Sequence, residues 1–319
     1  MKKIVTAAAV TGLALLTAAC GSSGSGSSAA GGSGSAHGSS SLPGKGKPTI
    51  VLGDKNFDEE FLLGDIYAQA FRAQGYTVSL KPNIGGSELM DKVFKAGTIN
   101  AYPEYLGEIV STNAGYSKPL TSEAQTEQLA KAYETKNGAT IMTPVTPFYD
   151  TDELITLKSY AVKHHLSSLG DLKNAGPAKL GAAAVEETRY EGLVGLKQAY
   201  GDTNLKFVPL AAGSPVYNAV DSGQIQVGDA FSTDPQLLSG KYQTLKDPKY
   251  IYGFQHVGLV IKSSLLKQLG PQFTQTYNKV TALLTNPAMQ ALNKAVALDQ
   301  EDPNTVAHAF LQANHLLGS

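Results

Sequence analysis

Tryptophan is absent from the 319 residues, and cysteine occurs once, at Cys20. A lone thiol excludes an intrachain disulfide, whatever the redox state of its compartment. The 6 histidines show neither His-Glu-x-x-His nor any other metal-ligand spacing, so neither a resident metal nor a cofactor is expected. Charge of one sign is not in excess: 26 Lys and Arg stand against 27 Asp and Glu, dispersed along the chain. Without a basic stripe, nucleic acid is excluded as a partner. Catalytic signatures are missing too. There is no Gly-x-Ser-x-Gly elbow, and Gly44-Lys-Gly-Lys47 has the wrong spacing for a phosphate loop. A non-enzymatic protein is expected, with a tethered serine hydrolase as a remote alternative.

What is present begins with an address. Lys2 and Lys3 precede an apolar run from Ile4 to Leu16, and Ala18 and Ala19 lead to Cys20. The run is too short to span a membrane with ordinary flanks, and this order of charge, apolar stretch and small residues reads as an export signal over residues 1–19. The junction Ala-Ala-Cys20 resembles that of bacterial lipoproteins, which implies lipid attachment at Cys20 and a place on the outer face of the cell membrane. An ordinary secretory signal is the alternative. Residues 20–47 are almost wholly Gly, Ser and Ala, too poor in apolar surface to order themselves, and read as a flexible tether spanning roughly 30 Å.

From Thr49 about 270 residues remain, long for a single core and suited to two lobes. Thr49 to Leu52 reads as a strand, followed by a helix whose face is Phe61, Leu62, Ile66, Ala70 and Phe71. Asn56 with Glu59 has capping-box spacing at its start, and Gly75 ends it. The alternation continues through Tyr76 to Leu80 and a helix opened by Gly85-Gly86-Ser87, and it recurs in residues 153–231. Such a rhythm predicts an α/β fold. Ligands of such sheets sit at strand ends near helix N-termini. The loops at Asp54 to Asn56, Gly85 to Ser87 and Tyr102 to Glu108 should therefore converge on one cleft. The last of these, Tyr-Pro-Glu-Tyr-Leu-Gly-Glu, reads as a turn-like ligand wall. Thr143-Pro-Val-Thr-Pro147 reads as a stiff crossing between lobes, and Val257 to Lys262 as a returning strand.

Four ordered motifs carry a resemblance: Gly-Asp-Lys-Asn-Phe-Asp-Glu-Glu (53–60), Asn-Ile-Gly-Gly-Ser (83–87), the Tyr102 to Glu108 stretch, and Gly-Asp-Ala-Phe-Ser-Thr-Asp (228–234). Over residues 48–317 the chain resembles the substrate-binding proteins of osmoprotectant ABC importers, the family for glycine betaine, carnitine, choline and proline betaine. The resemblance implies a two-lobed periplasmic-binding-protein fold, type II-like, with two interlobe crossings and a ligand cleft. Lobe one would be 48–147 plus 256–319 and lobe two 148–255. It also implies a monomer that passes a small solute to a membrane permease. Residue by residue, Lys55 matches a lysine near the ligand carboxylate, Tyr105 a cage tyrosine, and Arg189 an arginine reaching from lobe two, with Glu186 or Glu187 as an alternative ion-pair partner. Phe231 falls where a cage tyrosine is usual. Asp152 stands at another cage position, and His256 with Gln255 lies at a further one. Glu108 sits where Thr is common and Asp occurs in choline-restricted relatives. Carboxylates at Glu108 and Asp152 in place of rings would favour a net cation such as choline, and a hydroxylated or aromatic solute is the alternative.

Overall fold

The computed structural model describes residues 42–201 and 204–317. Cys20 and residues 1–41, including the export signal and most of the tether, lie outside them.

Two five-stranded sheets organise the described chain. The first contains β1 (Ile50–Gly53), β2 (Val78–Lys81), β3 (Ala101–Tyr105), β4 (Ala139–Ile141) and β10 (Val257–Lys262), in the order β2-β1-β3-β10-β4. The second contains β5 (Asp152–Leu157), β6 (Ala178–Ala182), β7 (Leu205–Pro209), β8 (Val227–Phe231) and β9 (Tyr242–Thr244), in the order β7-β6-β8-β5-β9. Both sheets repeat one plan: three parallel strands and then an antiparallel strand in fourth place. That fourth strand, β10 or β5, directly adjoins a chain crossing between lobes, so each sheet is braced by the hinge. The crossings, residues 142–151 and 245–256, pair with each other through a bridge between Tyr149 and His256 and through Asp150 N–H donating to Gln255 O at 3.1 Å.

Val257, Leu259, Val260 and Ile261 are all fully buried, as a central strand covered on both faces requires. Helix α1 (Asp58–Ala73) packs Leu62, Ile66, Tyr67, Ala70 and Phe71 onto the first sheet and onto helices Pro271–Thr281 and Pro303–Ala313. Phe71 meets Phe273 at 4.3 Å between ring centres. Gly75, at φ +83°, ends α1 as expected.

Two local expectations are corrected. Asn56 does not cap α1: the helix starts at Asp58 after an extended Phe57, without a side-chain cap. The reason lies one residue beyond the expected box. Glu60, not Glu59, turns back and accepts the N–H of Lys55 at 3.2 Å. The Tyr102 to Glu108 stretch is not a turn. Its first four residues complete β3, which is wholly buried, and Leu106–Glu108 begins a helix. Pro103 is tolerated there because β1 pairs with β3 only at Leu52 and Ala101, so no partner asks for the missing N–H.

Candidate functional site

The three expected loops do converge. Lys55 leaves the end of β1 and is 3% exposed. Its Nζ lies 2.5 Å from Glu104 Oε1 at the end of β3, 3.3 Å from Ser87 Oγ at the start of α2 (Ser87–Lys95), and 4.0 Å from Glu60 Oε1. It also stands 4.2 Å from the centre of the Tyr105 ring and 5.5 Å from that of Phe57. Burial alone would pull the ammonium down. The carboxylates of Glu104, Glu60 and Glu108 outweigh it and push Lys55 up, so it remains charged. Burial holds both Glu60 and Glu104 above the usual carboxylate range against the pull of Lys55, with Glu104 adding to the rise of Glu60 and Glu108 to that of Glu104.

Tyr105 is buried. Its hydroxyl donates to Glu59 Oε1 at 2.7 Å, and Glu59 Oε2 accepts from Asn293 Nδ2 at 2.7 Å. Glu108 is half-buried. Its N–H donates to Gln255 Oε1 at 3.2 Å, and Thr112 Oγ1 donates to its carboxylate at 2.9 Å. Gln255 packs so closely that a Cβ on Gly107 would meet its amide at 2.5 Å. The Glu108 charge acts on Lys55 and Glu104 in its own lobe and on Asp152, Glu186, Arg189 and Glu191 opposite. It therefore faces the space between the lobes.

Arg189 reaches back across that space. Its guanidinium lies 3.3 Å from Glu88 on α2 and 3.9 Å from Glu186 of its own lobe. The interlobe partner, Glu88, went unread because a glutamate in the first turn of a helix already has a sufficient explanation in the helix dipole. Asp152 opens β5 opposite Phe231 of β8. Burial, with repulsion from Asp229, Glu186, Glu108 and Asp150, pushes its carboxyl well up. A cavity of about 400 Å³ beside it is lined by Tyr149, Glu153, Tyr250 and Phe254.

His256 borders that cavity but is not brought to Lys55 and Tyr105. It belongs to the second crossing, where Nδ1 lies 2.9 Å from both Thr146 O and Phe148 O and Nε2 lies 3.5 Å from Glu123. These contacts fasten one crossing to the other.

Phe231 opens onto a second cavity, of about 600 Å³, between the lobes. Phe57 faces it from lobe one, and Glu59, Asp150, Asp234 and Asn293 are part of its polar wall. Among the described residues no Lys or Arg lines it. Phe57, 39% exposed, is a cavity ring that sequence reading missed. The signal available was its place in the Gly53 to Glu60 motif, directly before the helix. Asp150 lines this cavity and Asp152, two residues on, lines the other. Among the described residues no group of side chains is arranged to hold a metal ion, and no helix is long and apolar enough to cross a membrane.

The family model "Substrate binding domain of ABC-type glycine betaine transport system" matches residues 48–313. A glycine betaine-binding protein of Pseudomonas aeruginosa is 27% identical over 281 residues, covering 84% of this chain and 89% of that protein. A glycine betaine-binding protein of Escherichia coli is 26% identical, over 85% and 92% respectively. An ergothioneine transport permease and binding protein of Helicobacter pylori is 26% identical, over 82% of this chain and 47% of its own length. Among solved structures, a glycine betaine/carnitine/choline ABC transporter protein superimposes with a TM-score of 0.72 at 22% identity, over 84% of this chain and 99% of that one.

Proposed function

This chain belongs to the family of substrate-binding domains of ABC-type glycine betaine transport systems, and on that premise we propose that it captures a small organic cation of the choline class for an ABC permease. It is a transport component and not an enzyme. Lobes 48–147 plus 256–319 and 148–255 close on the solute as a monomer.

One observation carries the preference for a net cation. Both side chains that would meet a ligand's carboxylate are already matched by carboxylates of the protein: Lys55 by Glu104 and Glu60, Arg189 by Glu88 and Glu186. A zwitterion would have to displace them. The cavity of about 600 Å³ instead offers Phe57 and Phe231 from opposite lobes, with Glu59, Asp150 and Asp234 beside them. A quaternary ammonium is held by each ring with about 0.5 to 2 kcal/mol, and a carboxylate at close range adds about 4 kcal/mol before desolvation. Together these approach the roughly 8 kcal/mol of micromolar binding. Calorimetric titration of residues 45–319 with choline, glycine betaine and carnitine is the test. Choline is expected to bind at micromolar Kd and at least tenfold more tightly than either zwitterion. Equal or tighter binding of glycine betaine would sink the cation reading.

Cys20, outside the described residues, is proposed as the lipid-bearing terminus of the exported protein, and the Ala18-Ala19-Cys20 junction supports this. Cys20→Ala should move the protein from the membrane fraction to the soluble fraction. Membrane retention of that variant would refute the anchor.

A further inference from the structure

We infer that Gln290 and Asn293 are positioning residues for solute capture: their carboxamides bond the main chain of lobe two beside Phe231, hold the lobes together and set the Phe231 ring at the cavity. This rests on the reading of the protein as one that closes its lobes, and not on the identity of the solute.

Helix Asn286–Asn293 belongs to lobe one, where Met289 and Leu292 enter the core shared with α1. Asn286, Gln290 and Asn293 recur at helical spacing and form a second stripe beside that apolar one. Each of the three bonds to main chain outside lobe one. Asn286 Nδ2 donates to Tyr149 O at 2.9 Å, and its Oδ1 accepts the Tyr149 N–H at 3.3 Å. Gln290 Nε2 donates to Ser232 O at 3.0 Å. Asn293 Nδ2 donates to Thr233 O at 3.2 Å and also to Glu59 Oε2 on α1 at 2.7 Å. A primary amide carries two N–H donors, so Asn293 serves both lobes at once.

The receiving turn is rigid. Phe231 N–H donates to Asp234 Oδ2 at 3.0 Å, Asp234 N–H donates to Phe231 O at 2.9 Å, and the Tyr217 hydroxyl donates to Asp234 Oδ2 at 2.9 Å. Whatever grips the carbonyls of Ser232 and Thr233 therefore carries Phe231 with it. The pivot is Tyr149, in the first crossing. Its carbonyl accepts from Asn286 of lobe one and, at 2.9 Å, from Ser232 Oγ of lobe two, and it pairs with His256 of the second crossing. Gln290 and Asn293 stand roughly 6 and 10 Å along the helix from Asn286. An opening of about 20° around the pivot carries their partners about 2 and 4 Å away, beyond hydrogen-bond reach, and leaves the Asn286 bonds in place. Gln290 and Asn293 thus act on closure, and Asn286 on the hinge alone.

The experiment needs no ligand. Small-angle scattering of residues 45–319 reads the ratio of closed to open forms, and Gln290, half-buried, can be changed without emptying the core. Gln290→Met keeps the length and loses the donor. It should lower the ratio by about three- to tenfold, the worth of one neutral hydrogen bond. Gln290→Glu, which turns an acceptor onto Ser232 O, should lower it further. Gln290→Lys returns a donor and should stay within about twofold of the unaltered protein. Asn293→Leu should lower the ratio at least as far as Gln290→Met, and Tm with it, because Glu59 loses a donor too. Asn286→Leu should leave the ratio unchanged. The proposal is overturned if Gln290→Met and Gln290→Lys scatter alike, if Asn286→Leu opens the lobes as far as Gln290→Met, or if the unaltered protein scatters only as the open form. Failure of choline to bind would leave this measurement intact.

Discussion

Lys55→Met is expected to destabilise the protein by about 3 to 5 kcal/mol, the cost of leaving a buried charge without its partner. In a body of this size that corresponds to a fall in Tm of roughly 10 °C or more. The methionine fills nearly the same volume and lies well against the rings of Tyr105 and Phe57, so lost packing is a minor contribution. What is lost is the one cation between Glu60 and Glu104, both fully buried and each with an oxygen that has no hydrogen-bond partner. Without the ammonium each carboxyl is pushed further up by burial, while in the unfolded chain it keeps its ordinary value. The folded variant therefore holds protons that its unfolded chain releases, and its deficit grows as pH rises above the usual carboxylate range, by up to about 1.4 kcal/mol per unit for each such group. Thermal melts at pH 5 and pH 8 should show the larger loss at pH 8. Adding Glu104→Gln should restore at least half of it, with a coupling energy above 1 kcal/mol in the double-mutant cycle. Full stability of Lys55→Met at pH 8 would mean that Glu60 and Glu104 are already neutral, and the charged triad would be wrong.

The parts of this architecture that were legible in the sequence are those fixed by short-range pattern. Val257 to Lys262 stands out as an apolar block followed by a helix start, and the strand it predicts has those bounds. The meeting of Lys55, Ser87 and the β3 terminus was legible because strand ends in a parallel sheet lie on one edge. The partners within that meeting were not. Lys55 reads as a free cation until Glu104 is seen to lie against it, and Glu104 reads as one of two carboxylates in a turn until β3 is seen to be a buried strand. Contacts between lobes were the least visible. Nothing local connects Glu88 with Arg189, or Asn293 with Thr233, because each residue has an adequate explanation within its own element. The contacts of His256 were equally invisible: its Nδ1 meets Thr146 O and Phe148 O of the other crossing, more than 100 residues earlier in the chain.

The two rings at the mouth of the interlobe cavity give the largest expected effect on binding. Phe57→Ala and Phe231→Ala should each raise the Kd for choline by up to about 30-fold, the equivalent of about 2 kcal/mol for a desolvated cation on an aromatic face. The rings stand on opposite lobes and each can face the cation only in the closed form, so removing one weakens closure as well as contact. The double variant should therefore lose at least 100-fold. Stability should hardly change, because Phe57 is 39% exposed and Phe231 half-buried, whereas Tyr105→Ala, which empties a buried site, should destabilise by about 3 to 5 kcal/mol. That contrast separates cage from core: affinity lost at unchanged Tm identifies ring faces that meet the ligand. Should the double variant bind choline as tightly as the unaltered protein, the cation is held elsewhere, and the cavity of about 400 Å³ beside Asp152, with Tyr149, Tyr250 and Phe254 on its wall, becomes the place to look.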